Sequence, residues 1–136
     1  MASRSLDDLA PRVRALALAF LAECQRQGLP VLIYCTLRSD AEQADLYARG
    51  RTAPGAIVTN ARPGQSMHNP QRDGHAWAFD AVPLVAGQPA WSDEAALLAM
   101  GAAGERVGLE WAGRWRGKLR ERVHFQIKPP ADVRRA

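Results

Sequence analysis

Cysteine is scarce in this chain. Cys24 and Cys35 are the only two, too few for the disulfide framework of a small secreted fold. Both lie in apolar surroundings, Cys24 on a helix face and Cys35 in a strand-like run, and read as buried reduced thiols. No apolar stretch approaches the roughly 20 residues needed to cross a bilayer, so membrane insertion is not expected. The short run 15–22 follows Asp7, Asp8, Arg12 and Arg14 and precedes Glu23. It carries no small-residue cleavage motif, so a secretory leader is not expected and synthesis in the cytoplasm is. Neither a phosphate-cradling glycine loop nor an aromatic-basic stripe is present, which argues against a nuclease built on His68 and Asn69 and against any nucleic-acid partner. Histidine is rare too, with three copies.

What is present is ordinary globular chain: 136 residues, 47% hydrophobic and 24% charged. One domain covering 1–136 is expected, with enough chain for a core. The net charge of +4 and a pI near 9.7 favour a polyanionic partner. Charge alone does not separate an anionic cell envelope from a nucleic acid.

Helical spacing of Leu6, Leu9, Val13, Leu16, Phe20 and Cys24 predicts an amphipathic helix over 5–27, capped by Ser5 and ended by Gly28 and Pro30. Residues 31–35 read as a buried strand. Ser39-Asp40-Ala41-Glu42 is a capping-box pattern that starts a helix running to Arg49. The segment 52–73 reads as loop, long enough to suggest a functional role. A strand is predicted over 75–82, a turn at Gly87-Gln88, and a third helix from Ser92 to about Val107. Gly101 and Gly104 weaken that helix and permit close packing. Residues 123–127 alternate as a strand, and Pro129-Pro130 leads to a basic tail. Irregular alternation of helices and strands, with antiparallel pairing, predicts an α+β domain.

The chemistry-bearing residues converge from two places. His68 and Asp80 flank a polar loop, and Glu121 and His124 come some forty residues later. Two histidines and one carboxylate form a three-ligand zinc site that leaves a position open for water, the catalytic arrangement. In an extended strand Asp80 shares a face with Ala76 and Ala78, leaving room for an ion, while Trp77 and Phe79 serve the core. His124 points away from Val123 and Phe125. His75 competes with His68 for the first ligand position. His68 is favoured, because five residues of strand place His75 on the face opposite Asp80. Glu121 is a candidate general base and acid. It would face away from His124 in a continuous strand, so it is expected in the turn before it.

Several ordered motifs resemble one known family. Thr36-Leu37-Arg38-Ser39 is followed by Glu42-Gln43, Leu46-Tyr47 and Gly50-Arg51-Thr52. Then come Val58-Thr59-Asn60-Ala61, Gly64-Gln65-Ser66-Met67-His68-Asn69, Ala78-Phe79-Asp80, the run 108–115, and Glu121-x-x-His124-Phe125-Gln126. Together they resemble the zinc peptidoglycan peptidases, which include D-Ala-D-Ala carboxypeptidases and phage L-alanyl-D-glutamate endopeptidases. The resemblance implies a small antiparallel sheet packed with helices, as in the Hedgehog and D,D-peptidase folds. It implies Zn2+ held by His68, Asp80 and His124, with Glu121 as base. It also implies Arg38 near the substrate, polarising a carbonyl or gripping a carboxylate, with Gln43 supporting that region. Ser66 either bonds near the metal or shapes the turn, and Trp111 and Trp115 either line the groove or pack in the core. One departure stands out. The family pattern is His-x-x-Gly-x-Ala-x-Asp, whereas here the separation from His68 to Asp80 is 12 and Ala76 takes the glycine position.

The expectation is therefore a monomeric zinc endopeptidase without a separate wall-binding module, cutting peptidoglycan peptide stems between L-Ala and D-Glu. A phage or prophage endolysin fits this, made in the host cytoplasm and acting on the anionic envelope after the membrane is breached. The alternatives are a D-Ala-D-Ala carboxypeptidase and a non-catalytic zinc-bearing binding module.

Overall fold

Alternation along two short strands sorts the chain into a core face and a site face. The computed structural model describes residues 2–117 and 120–128. Its elements are α1 (Pro11–Arg26), β1 (Val31–Cys35), α2 (Asp40–Ala48), β2 (Ala78–Val85), β3 (Gln88–Pro89), α3 (Glu94–Arg106), β4 (Glu110–Trp111) and β5 (His124–Gln126). The strands pair antiparallel in the order β1-β2-β5-β4, with β3 against the far end of β2. This is the expected α+β architecture. Phe79 pairs with Phe125 and Asp80 with His124. Successive side chains point to opposite faces, so the two phenylalanines meet Phe20 of α1, with ring centroids 4.8 to 5.5 Å apart. Val13, Ala17 and Cys24 of α1 and Leu97, Met100 and Ala103 of α3 complete this layer. Each large side chain so buried contributes roughly 1.5–3 kcal/mol. Asp80, His124 and Gln126 turn to the other face.

The helix expected over 5–27 is broken. Ser5 caps a short 3₁₀ turn, Leu6–Asp8, and α1 begins only at Pro11. A proline disfavours helical geometry in the residue before it, and Ala10 is extended with ψ 146°. The interruption is used. Ala76 N–H donates to the Asp8 carbonyl, and Ala10 N–H donates to that of Ala76. The chain leading into β2 is thereby tied to the start of α1.

The second strand starts later and runs further than the expected 75–82, through Pro83 to Val85. N–H directions alternate along it: Ala81 donates to Val123 on the β5 side and Leu84 donates to Pro30 on the β1 side. Pro83 would point to the β5 side, past the start of β5, so its missing N–H removes no ladder bond. The third helix starts at Glu94 with Asp93 as its cap, and β5 is one residue shorter at each end than expected. The proposed Pro129-Pro130 stop and basic tail lie outside the described residues.

The glycines of α3 permit the close packing expected of them. A Cβ on Gly101 would lie 2.2 Å from the Trp111 ring, and one on Gly104 would lie 2.5 Å from the Phe125 ring. Alanine in a helix gains up to about 1 kcal/mol over glycine, but forcing a methyl into this contact costs roughly 1–3 kcal/mol. Gly104→Ala is therefore expected to lower the thermal midpoint, and a raised midpoint would show that the ring has room to move.

Candidate active site

The loop that carries His68 is built from its own hydrogen bonds. His68 N–H donates to Ser66 Oγ (3.1 Å), and its carbonyl accepts from Arg38 N–H (2.8 Å). Ser66 thus shapes the turn. Asn69, fully buried, accepts from Gly64 and Ser66 N–H and donates to the Arg38 carbonyl. The long separation between His68 and Asp80 is absorbed by an excursion closed at its neck, where Trp77 N–H donates to the Met67 carbonyl (2.9 Å). Gln71 Nε2 donates to the carbonyls of Ser66 and Asn69, stitching the excursion from inside. His75 stays on it, with Nδ1 against the Asp73 carbonyl (2.9 Å), away from Asp80 and His124. The structure brings His68, and not His75, to the sheet.

Hydrogen bonds fix which nitrogen of each imidazole is free. His68 Nδ1–H donates to the Thr36 carbonyl (2.8 Å). Its Nε2 lone pair then faces Asp80 Oδ1 at 3.0 Å. His124 Nε2–H donates to Gln126 Oε1 (2.9 Å), whose amide is oriented by donation from Nε2 to Glu110 Oε2 (3.2 Å). His124 Nδ1 thus also turns its lone pair on Asp80 Oδ1, at 3.3 Å. Two lone pairs aimed at one carboxylate oxygen repel it unless positive charge stands among them. Burial presses His68 toward its neutral form, yet the Asp80 charge and hydrogen bond outweigh it and raise its pKa to about 10. For Asp80, burial pushes upward, but His68 and His124 hold the carboxyl well below its usual range. The donor set suits a divalent cation, and tying the distal imidazole nitrogens to acceptors is how protein metal sites orient their histidines.

Donor atoms lying within 4.8 Å of one another form two trios that share Asp80: Asp80 with Glu121 and His124, and Asp80 with His68 and Cys35. Cys35 is the buried free thiol expected, but it also stands beside the cluster, which its apolar neighbours do not announce. The β1–β2 register slips between Ile33 and Cys35, setting Cys35 opposite Asp80, and its Sγ lies 3.7 Å from His68 Nδ1. Such irregularities re-aim a side chain. Gln126 and Glu110 were missed as orienting groups, although the two-residue spacing from His124 places Gln126 on the same strand face.

Arg38 lines the cleft with its Nη2 3.9 Å from Asp80 Oδ2. Gln43 supports the Arg38 region, as the resemblance implies, but does so from behind the cleft wall, with its side chain 0% exposed. It accepts from Arg38 Nη1 (2.9 Å) and donates to the Ala61 carbonyl (2.8 Å), so it holds the guanidinium and does not reach the cleft. Glu121 opens the turn that leads into β5, its carbonyl accepting from His124 N–H (3.4 Å), with Oε2 4.0 Å from His124 Nδ1 and its side chain 54% exposed. A carboxylate so placed can exchange protons with solvent and with a molecule held beside the histidines.

These groups line an open cleft of about 1460 Å³. Strand register gives it two ends. Trp77 precedes Ala78, which pairs with Gln126, whereas Glu121 lies beyond the Asp80–His124 pair. Trp77 with Arg72 over its ring (5.5 Å) marks one end. Trp115, 5.7 Å from the His124 ring, lines the wall with Arg120 near Glu121. Trp111 belongs to the core, with Nε1 donating to the Arg122 carbonyl.

An α+β sheet that gathers His68, Asp80, His124 and Glu121 on one side of an open cleft, within two trios of possible metal donors, has the make-up expected of a hydrolase of the peptidase class. No family model matches the chain. It is 31% identical over 132 residues to the peptidoglycan L-alanyl-D-glutamate endopeptidase CwlK of Bacillus subtilis, covering 90% of this chain and 75% of that one. The chain belongs to that family of peptidoglycan peptidases. Its fold is shared with the L-Ala D-Glu endopeptidase ChiX of Serratia marcescens (TM-score 0.62, 19% identity, 94% and 89% of the two chains). It is shared as well with the L,D-carboxypeptidase DacB of Streptococcus pneumoniae (TM-score 0.61, 21% identity, 94% and 74%).

Proposed function

We propose that this chain is a zinc-dependent endopeptidase that hydrolyses the L-alanyl-D-glutamate bond of peptidoglycan peptide stems. The observation that carries the reading is the pair of oriented imidazole lone pairs converging on Asp80 beside Glu121. His68, Asp80 and His124 would hold the ion, a nitrogen and oxygen donor set suited to Zn2+. Bound there, zinc would supply a Lewis acid and a lowered pKa for water. Glu121 takes the proton of the attacking water and returns it to the departing amine nitrogen. Arg38, fixed by Gln43 on the cleft wall, offers positive charge where the scissile carbonyl oxygen becomes negative.

The cleft supports cleavage within a chain over removal of a terminal residue. Its walls continue past the cluster both toward Trp77 and toward Arg120, leaving room for substrate on either side. Mass analysis of fragments from digested cell walls tests this. New D-glutamyl amino termini are expected, whereas release of free D-alanine alone would replace the reading with a carboxypeptidase.

Within this reading the protein acts as a phage or prophage endolysin, made in the host cytoplasm and reaching the wall once the inner membrane is breached. The net charge of +4 favours adsorption to an anionic envelope. Expressed inside host cells, it should lyse them only when the inner membrane is permeabilised. Lysis without that step would contradict the reading.

A further inference from the structure

Cleft arginines without an acidic partner point to what the substrate carries. Arg38 is already engaged by Gln43, Cys35 and Asp80. Arg120 is different: its Nε donates to the Gly113 carbonyl (3.2 Å), which aims the guanidinium, and no described carboxylate pairs with it. It is exposed, lines the cleft and directly precedes Glu121.

From this placement we infer that Arg120 is the specificity residue for the free carboxylate of the glutamyl unit on the leaving side of the scissile bond. The inference rests on the endopeptidase reading above. The group that protonates the departing nitrogen must lie beside it, so the residue that owns that nitrogen occupies the Glu121 end of the cleft. A glutamyl unit inside a peptide spends its nitrogen on one bond and one of its two carboxyls on the next. One carboxyl therefore remains ionised, close to the scissile bond. The end with Arg72 and Trp77 receives the alanyl side instead. A guanidinium with its Nε tied still presents Nη donors, which suit the planar carboxylate. A carboxamide at the same place loses the charge and sets N–H against N–H.

The test compares two synthetic stem peptides, one with the D-glutamyl carboxylate free and one with it amidated, cut by the zinc-loaded wild type, Arg120→Gln, Arg120→Lys and Arg72→Gln. The wild type is expected to prefer the acid by about tenfold in kcat/KM, the low end for a charge-assisted bond because the site is exposed. Arg120→Gln should lose that preference through KM, leaving the amidated peptide nearly unaffected. Arg120→Lys should restore part of it, and Arg72→Gln should keep it whole. A preference that survives Arg120→Gln, a wild type with none, or an equal loss on both peptides overturns the assignment while the endopeptidase reading stands. A wild type that cuts neither peptide overturns both.

Discussion

Asp80→Asn should lose bound zinc and lower wall hydrolysis on the order of 10³-fold, about 4 kcal/mol of transition-state stabilisation. The expectation comes from the position of Asp80 at the shared point of the cluster. Both imidazole lone pairs face its Oδ1, at 3.0 and 3.3 Å. The amide removes the only negative charge on that face of β2 and can turn an N–H donor toward one lone pair. The cation then loses both a ligand and its charge balance. Because the amide fills nearly the same volume, the sheet should remain folded, and circular dichroism checks that the loss is chemical. Elemental analysis showing full zinc content in this variant would remove Asp80 from the ligand set.

Glu121→Gln should behave in the opposite manner with respect to metal. Zinc content is expected to stay at the wild-type level while hydrolysis falls by about 10²–10⁴-fold, the usual weight of a positioned acid-base group. Exposure of the side chain makes a large stability change unexpected. The variant also separates two roles that the distances leave open to this carboxylate, since Glu121 lies within ligand range of Asp80 and His124. Loss of zinc from Glu121→Gln would make it a ligand. Retained zinc with full activity would remove it from the mechanism.

Much of this site was legible because two short strands carry it. Alternation in 123–127 placed His124 opposite Phe125, and the flanking alanines placed Asp80 opposite Phe79. The partner of that pair, His68, was chosen over His75 by the same two-residue period. What could not be read were the features that depend on distant segments meeting. Cys35 lies beside His68 because β1 slips register, and nothing in its apolar neighbours announces the slip. Gln43 reaches Ala61 across a loop, so its burial behind the cleft wall could not be judged locally. The pairing of Glu110 with Gln126 exists only once β4 lies against β5. The break before Pro11 was written in the chain, but the apolar period running across it favoured one continuous helix. There the bonds to Ala76 prevailed.

The proposal stands or falls on whether one divalent ion binds among His68 Nε2, Asp80 Oδ1 and His124 Nδ1. Crystals of the zinc-loaded protein, measured on either side of the zinc absorption edge, test it most directly. A single anomalous peak within bonding distance of all three atoms is the expected result. A peak bonded to Cys35 in place of His124, or no peak between the two imidazoles, would contradict it.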